Sequence, residues 1–532
     1  MEKLYFNGDV ITMEGEGDYA QAVLVADGRI KAVGAYDAVA AQKSENCQLV
    51  DLQGKTLMPS FIDAHGHATM TPMFAGQCDL SGCNCLADIV TTLQAYQGER
   101  QIPTGQTIIG VNYDNNFLAE NRHPHRDLLD EVSTERPVVV VHVSVHMAVG
   151  NSLALKNLGF ADDIADIPGG EIGRYEDGRL DGYLAETATY PLLGLAFGEL
   201  QSQVVQLWPI AQQMYLSNGV TTVQDGASNA DCLKMLTGFD AAGMVKLDVV
   251  AYPTFQVEAH KIAAENPALC KKYNGHVKIG GYKLVLDGSP QARTAWLSKP
   301  YENSEACGVQ IIQDDEVKQY MKQALDDDMQ ALVHCNGDAA GDQFLRCYEE
   351  MLPLSENPNK ENLRFTMIHC QTMRKDQIEK MAQLKMIPSI FVAHVNYWGD
   401  VHLQNLGPVR GNYISPVKDA MDAGLVYNFH TDTPVTKPDM LHSVWSAVNR
   451  VSRKGVVVGA DQRIGVYDAL KGITINAAYE YFEEEEKGSL KAGKRADLVI
   501  LSDNPLKVDS MAIKDIQVLE TIKDGETVYQ RK

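Results

Sequence analysis

The feature that most constrains this chain is a series of short apolar runs, each closing in polar residues and most of them followed by a helix-like stretch. The runs fall at residues 56–62, 220–224, 247–252, 282–286, 331–333, 365–368, 387–392 and 425–429. Helix-like segments at 316–329, 341–351 and 375–384 lie between the later ones. From residue 282 onward the runs recur every 20 to 50 residues or so, the length of a βα unit in a parallel sheet. Eight such strands alternating with helices predict an α/β chain built on a (β/α)8 TIM-type barrel.

The two ends follow a different rule. Residues 1–55 hold short apolar stretches broken at Asn7-Gly8 and Asp27-Gly28, and the last 45 or so residues repeat the style around Asp524-Gly525. Such dipeptides between apolar runs signal hairpins. Chain ends tend to lie close together, so residues 1–55 and 488–532 are expected to form one small β-sandwich domain. The barrel then takes residues 56–68 and 204–487. Residues 69–203 are too long for a loop and are expected to be an inserted substrate or lid subdomain following the first barrel strand. The acidic run Glu483 to Glu486 reads as a solvated helix end or turn.

Composition narrows the partners. Of 532 residues, 47 are Lys or Arg and 70 are Asp or Glu, a net charge of −23. That excess disfavours nucleic acid and anionic membrane surfaces, where each phosphate contact wants a cation. No run approaches the roughly 18 apolar residues of a membrane span, and the opening residues have no signal-peptide pattern. The expectation is a cytoplasmic protein acting on a small molecule, with self-assembly left open. The 10 cysteines are scattered without a C-x-x-C pair and read as reduced core residues.

The ends of the strands carry the chemistry. Asp63-Ala64-His65-Gly66-His67 follows the first run. Two histidines two apart on extended chain point to one face and can grip one metal ion. His334, His369 and Asp432 close three later runs. Active sites of such barrels gather at the C-terminal ends of the strands. Five metal-capable residues at the ends of four strands therefore point to a divalent metal site. Arg293, Trp296, His394 and Trp398 follow barrel strands and are candidates for lining the mouth, Arg293 as a partner for a substrate carboxylate or for an acidic neighbour.

These motifs resemble those of the amidohydrolase superfamily, and within it the YtcJ-like branch that includes N-substituted formamide deformylases. The likeness rests on Pro59-Ser60-Phe61-Ile62-Asp63-Ala64-His65-Gly66-His67, on 219–225, on Lys283-Leu284-Val285-Leu286-Asp287-Gly288-Ser289, and on 334–339, 430–434 and 488–499. It spans nearly the whole chain. The resemblance implies that Lys283 is carboxylated and bridges two metals, a conversion that turns a group with donors only into an anion with two oxygens. An ordinary salt-bridged Lys283 would leave one metal. It also implies that His334 and His369 serve the second metal and that Asp432, ionised at the metal, carries the proton. Tyr113 and His146 of the insertion are its candidates for substrate contact. His-rich ligation with carboxylate suits zinc, with manganese, iron or nickel as alternatives, at one or two ions per chain. The activity implied is hydrolysis of a C–N bond in a small amide, formamide-like or cyclic. The alternatives are deamination or ester hydrolysis, and a non-catalytic binder on the same scaffold.

Overall fold

The computed structural model describes residues 2–100, 102, 105–167, 170–198, 200 and 203–532. The chain divides into two units, Met1–Thr69 with Gln212–Lys532, and Met70–Ala211.

In the first unit, parallel strands carry the site. Phe61–Ile62, Val220–Ser228, Asp248–Pro253 and Val277–Ile279 form one sheet; Gly281–Val285, Gln330–Cys335, Thr366–His369, Ile387–Ile390 and Asn428–Phe429 form another. Their residues are almost all buried, which is why they read as continuous apolar runs rather than as alternating ones. The two sheets adjoin at Gly280 and Gly281. A Cβ at Gly280 would meet the Tyr252 hydroxyl and one at Gly281 the Gln330 carbonyl, so only glycine lets the backbones approach here. A parallel bridge between Thr254 and Lys283 continues the pairing. At the opposite edges, the amide of Asp432 donates to His65 O at 3.0 Å and that of His67 to Thr433 O at 2.7 Å. The result is a TIM-barrel-like α/β arrangement whose strand ends converge.

Both chain ends join one sheet of eight strands. Its order is Glu526–Gln530, Val518–Lys523, Leu498–Leu501, Thr56–Pro59, Lys3–Ile11, Tyr19–Ala26, Arg29–Gly34, with Gln48–Asp51 also on Lys3–Ile11. Hydrogen bonding runs continuously through this sheet, because Lys3–Ile11 pairs Gln48–Asp51 along its first half and Thr56–Pro59 along its second. One expectation changes here: the run 56–62 is not one barrel strand. Thr56–Pro59 pairs with Leu498–Leu501; at Ser60 the chain changes sheets, and only Phe61–Ile62 pairs with Val220–Ser228. Both halves are buried and apolar, so hydropathy does not mark the change.

The acidic run is a further correction. Glu483 is buried and paired with Lys278 at 2.5 Å and with Lys487 at 2.7 Å. Next to it, Asp248 at the start of its strand is fully buried. It takes Lys487 at 2.5 Å, Lys523 and Arg495 at 3.1 Å each, and His276 at 2.8 Å. Lys523 belongs to the terminal sheet and Asp248 to the parallel one, so this cluster clasps the two together.

The second unit centres on a six-stranded sheet, ordered Gly170–Arg174, Leu180–Glu186, Met147–Gly150, Val138–His142, Ile108–Tyr113, Cys78–Asp79. Val138 and Val140 face one apolar cluster, Val139 and Val141 another, the period of two that a strand covered on both faces requires. The unit begins near the expected boundary but runs to Ala211 rather than to 203. All ten cysteines are free thiols. Among the described residues no helix is long and apolar enough to cross a membrane.

Candidate metal centre

His65 and His67 leave the strand Phe61–Ile62 on a turn held from both sides. The Gly226 amide donates to Gly66 O at 2.8 Å, while Thr69 N and Oγ1 both donate to Asp225 Oδ1 at 2.8 Å. Nδ1 of His65 bonds Gln224 Oε1, and Nδ1 of His67 bonds the Gly226 carbonyl. Gln224 is itself oriented, since its Nε2 donates to Ala64 O at 2.8 Å and to the Tyr481 hydroxyl at 3.2 Å. Its Oε1 therefore faces His65 as an acceptor. With Nδ1–H committed outward in both rings, each Nε2 keeps its lone pair turned inward, the tautomer a metal ligand needs.

Asp432 meets those lone pairs. Its Oδ1 lies 3.2 Å from His67 Nε2 and 3.7 Å from His65 Nε2, and it is buried without a well-aligned hydrogen bond. The donor atoms of His65, His67 and Asp432 all fall within 4.8 Å of one another. Two lone pairs and an under-satisfied carboxylate oxygen around one point are what a cation would complete, so the residues fit a metal. Asp432 is set by Asp63, whose Oδ1 accepts from the Thr431 amide at 3.0 Å and whose Oδ2 accepts from the Thr431 hydroxyl. Burial raises the Asp63 carboxyl to about 7 in spite of those bonds. The backbone at Asp432 is left-handed, φ 56°, as is that at His369, φ 79°. Conformations of this kind cost about 1–3 kcal/mol at a non-glycine residue and cluster at functional sites.

Lys283 Nζ lies 3.4 Å from His65 Nε2. Burial pushes its ammonium down to about 8, although Asp432 opposes the shift. Its amine is thus more readily neutral than that of an ordinary lysine, the form that can take up CO2. Beside it, His334 Nδ1 and His369 Nε2 stand 3.1 Å apart. His334 Nε2 reaches the Gly288 carbonyl at 3.2 Å, with Asn336 Nδ2 3.0 Å away. His369 Nδ1 faces His430 Nε2 at 3.1 Å. The structure thus brings His65, His67, Lys283, His334, His369 and Asp432 into one neighbourhood.

The remaining candidates have other partners. His394 is buried, with Nδ1 3.1 Å from His402 Nε2, and Trp398 is buried beside it. Arg293 is exposed and its Nε donates to Asn405 Oδ1 at 3.0 Å, so its partner is an amide rather than an acidic neighbour. Trp296 donates its backbone amide to Asp287 at 3.0 Å. In the second unit, Tyr113 is buried with its hydroxyl 3.0 Å from His123 Nδ1. His146 is exposed and pairs with Glu186 at 3.1 Å.

Three residues near the ligands were not singled out from the sequence: Gln224, His430 and Ser389. The first two sit inside motifs quoted above, but neither type is conspicuous there, and Ser389 has no local signal. The expected result of Gln224→Leu is a 10- to 100-fold loss in metal affinity, as for other groups that orient a ligating histidine. Titration against a competing chelator would read it, and unchanged affinity would remove Gln224 from the site.

The family model described as "Amidohydrolase family" matches residues 48–529. YtcJ of Bacillus subtilis, named as an amidohydrolase, is 26% identical, the alignment covering 100% of both chains. The N-substituted formamide deformylase of Arthrobacter pascens is also 26% identical, over 99% of this chain and 98% of its own. Among solved structures, an uncharacterized metal-dependent hydrolase from Pyrococcus horikoshii OT3 superposes with a TM-score of 0.75. It is 25% identical, covering 96% of this chain and 99% of that one.

Proposed function

The chain belongs to the amidohydrolase family, and on that premise we propose that it is a metal-dependent hydrolase cleaving a C–N bond in a small amide, formamide-like or cyclic. The observation that carries the reading is the convergence of His65, His67 and Asp432, with the outer nitrogens of both histidines already committed to acceptors. His65, His67 and Asp432 would hold one divalent ion and His334 and His369 a second, with Lys283, as its carbamate, between them; zinc is the ion that this donor set suits first. A divalent ion held there supplies a Lewis acid for a carbonyl oxygen and makes water acidic enough to attack near neutral pH.

The rest falls to the chain. Gln224 and the Gly226 carbonyl keep the two ligating histidines in one tautomer. Asp63 holds the loop that aims Asp432 through two bonds to Thr431. The Asp432 carboxylate takes the proton of the attacking water and delivers it to the departing nitrogen, which a neutral amine product requires. Arg293, Trp296 and His394, which belong to the same unit as the metal centre, are the proposed substrate contacts. The deformylase activity named for the Arthrobacter relative supports the amide class.

Metal content tests the reading. Protein purified without added metal is expected to carry about two divalent ions per chain by mass spectrometry, and the His65→Ala/His67→Ala variant to lose them. About one ion would leave a mononuclear site at Asp432 with Lys283 structural. None, even after metal is supplied, would overturn the reading.

A further inference from the structure

A cavity of about 310 Å³ opens at the foot of the parallel strands, away from the metal centre. It is lined by Gly280, just before Gly281–Val285, and by Gln330, which begins Gln330–Cys335. His334 stands four residues further along that strand, about 13 Å away. Barrels of this kind meet their substrates at the other end of the strands, so the chemistry proposed above makes no use of this space. Its volume is that of a small-molecule site.

Most of the wall is apolar. Tyr252, Tyr481 and Leu363 are buried against the cavity, and Phe482 stands at its edge, 48% exposed. The Phe482 backbone is left-handed, φ 59°, and the Arg364 guanidinium lies 4.3 Å from its ring centre. An aromatic ring is thus held in water at the edge of a space that an apolar ligand would fill. The polar atoms of the floor are taken up. The Tyr252 hydroxyl donates to Gln330 Oε1 at 2.7 Å, and Gln330 Nε2 donates to the carbonyls of Arg364 at 2.8 Å and Glu480 at 3.1 Å.

Lys278 is the exception. It lines the cavity and is 4% exposed, and its Nζ donates to Tyr481 O at 2.9 Å and to Glu483 Oε1 at 2.5 Å. An ammonium has three N–H donors, and beyond those two bonds Lys278 has ring faces, Tyr273 at 4.9 Å and Tyr481 at 6.0 Å. A ring face is a weaker acceptor than an oxygen. Glu483 is shared with Lys487, and burial holds the Lys278 ammonium below the ordinary lysine range in spite of it. At the rim Lys271 pairs with Asp328. Among the described residues lining the cavity, two ammonium groups therefore face one carboxylate.

We propose that this cavity is a second small-molecule site, which takes a monocarboxylate with an aromatic body. The ring packs among Tyr252, Tyr481 and Phe482, and the carboxylate accepts from Lys278 Nζ. Such a ligand brings the acceptor and the one negative charge that the wall lacks, and a flat ring suits a space walled by rings. The site stands independently of the metal-dependent reading.

The test is calorimetric titration of the full chain with phenylacetate, beside 2-phenylethanol, which keeps the ring without the charge, and acetate, which keeps the charge without the ring. Phenylacetate is expected to bind, and the other two at least about tenfold more weakly, the range of a hydrogen bond to a charged group. Carboxylates also ligate metals, so the titration is repeated on the His65→Ala/His67→Ala variant, which is expected to bind phenylacetate as the parent does. Asn362→Trp changes an exposed residue at the rim. It is expected to obstruct the cavity and weaken phenylacetate about tenfold or more, with the urea midpoint of the parent. Lys278→Met is expected to remove the preference for phenylacetate over 2-phenylethanol. Glu483 keeps Lys487 at 2.7 Å in that variant, and its urea midpoint reports folding. No saturable binding of phenylacetate, equal affinity for phenylacetate and 2-phenylethanol, undiminished affinity in Asn362→Trp, or loss of binding in His65→Ala/His67→Ala would each overturn the site.

Discussion

Asp432→Asn is expected to lower turnover about 100- to 10,000-fold, the span a positioned proton-transfer group contributes, while the metal content stays that of the parent. Asparagine keeps a carbonyl oxygen where Oδ1 now lies 3.2 Å from His67 Nε2. It cannot take a proton from water. Losing the base without losing the ligand separates two roles that a change to alanine would merge. The readout is hydrolysis of a panel of small N-substituted formamides and cyclic amides, beside metal analysis of the same preparations. An Asp432→Asn enzyme that turns over normally would sink the proton-shuttle role, and one that loses its metals would show that Asp432 acts chiefly as a ligand.

The largest effect on stability is expected far from that chemistry, at Asp248. Its carboxylate is fully buried and shared among Lys487, Lys523, Arg495 and His276. Asp248→Ala leaves buried cations short of a partner, a loss worth about 3–5 kcal/mol when one side of a buried pair is removed. Glu483, Asp497 and Asp524 remain beside the lysines, which favours the lower end. A lowered urea midpoint would show it; a midpoint equal to the parent's would mean the cluster contributes nothing net. The pH dependence has a definite sign. Burial opposes the Asp248 charge, but Lys487, Lys523, His276 and Arg495 hold its carboxyl well below the usual value. A depressed carboxyl contributes stability that is complete above the ordinary aspartate range, near 4, and is lost as the pH falls towards the folded value. The parent's stability should therefore fall on acidification below about pH 4, and the variant should lack this part of the acid dependence.

Much of the scaffold was legible because its signals are local. Buried parallel strands read as apolar runs, and the structure keeps a strand at each run from residue 220 onward. The His65/His67 pair was legible as a local motif at the end of an apolar run, although the two rings converge from a turn held by Gly226 and Asp225 rather than from extended chain. Where two buried strands follow one another without a polar break, the signal fails, as at Ser60, where the chain passes from the terminal sheet to the parallel one. The Glu483 run misled in the opposite direction. Four acidic residues in succession favour water, and only Lys278 and Lys487 make burial of the first one tolerable.

What the sequence by itself determined, then, is most of the parallel strands, though not Val277–Ile279, together with the family-like motifs and the polar residues at the strand ends, all consequences of spacing along the backbone. Tertiary structure alone decided which lone pairs point inward. Gln224 orients His65 across 159 residues, and His430 faces His369 across 61. Asp248 gathers cations from 239 residues and more away. A glutamine, a serine or an aspartate has many possible partners in an unfolded chain. Which one it meets is set by strand order and register, and those follow from burying the whole apolar surface at once rather than from any short stretch of residues.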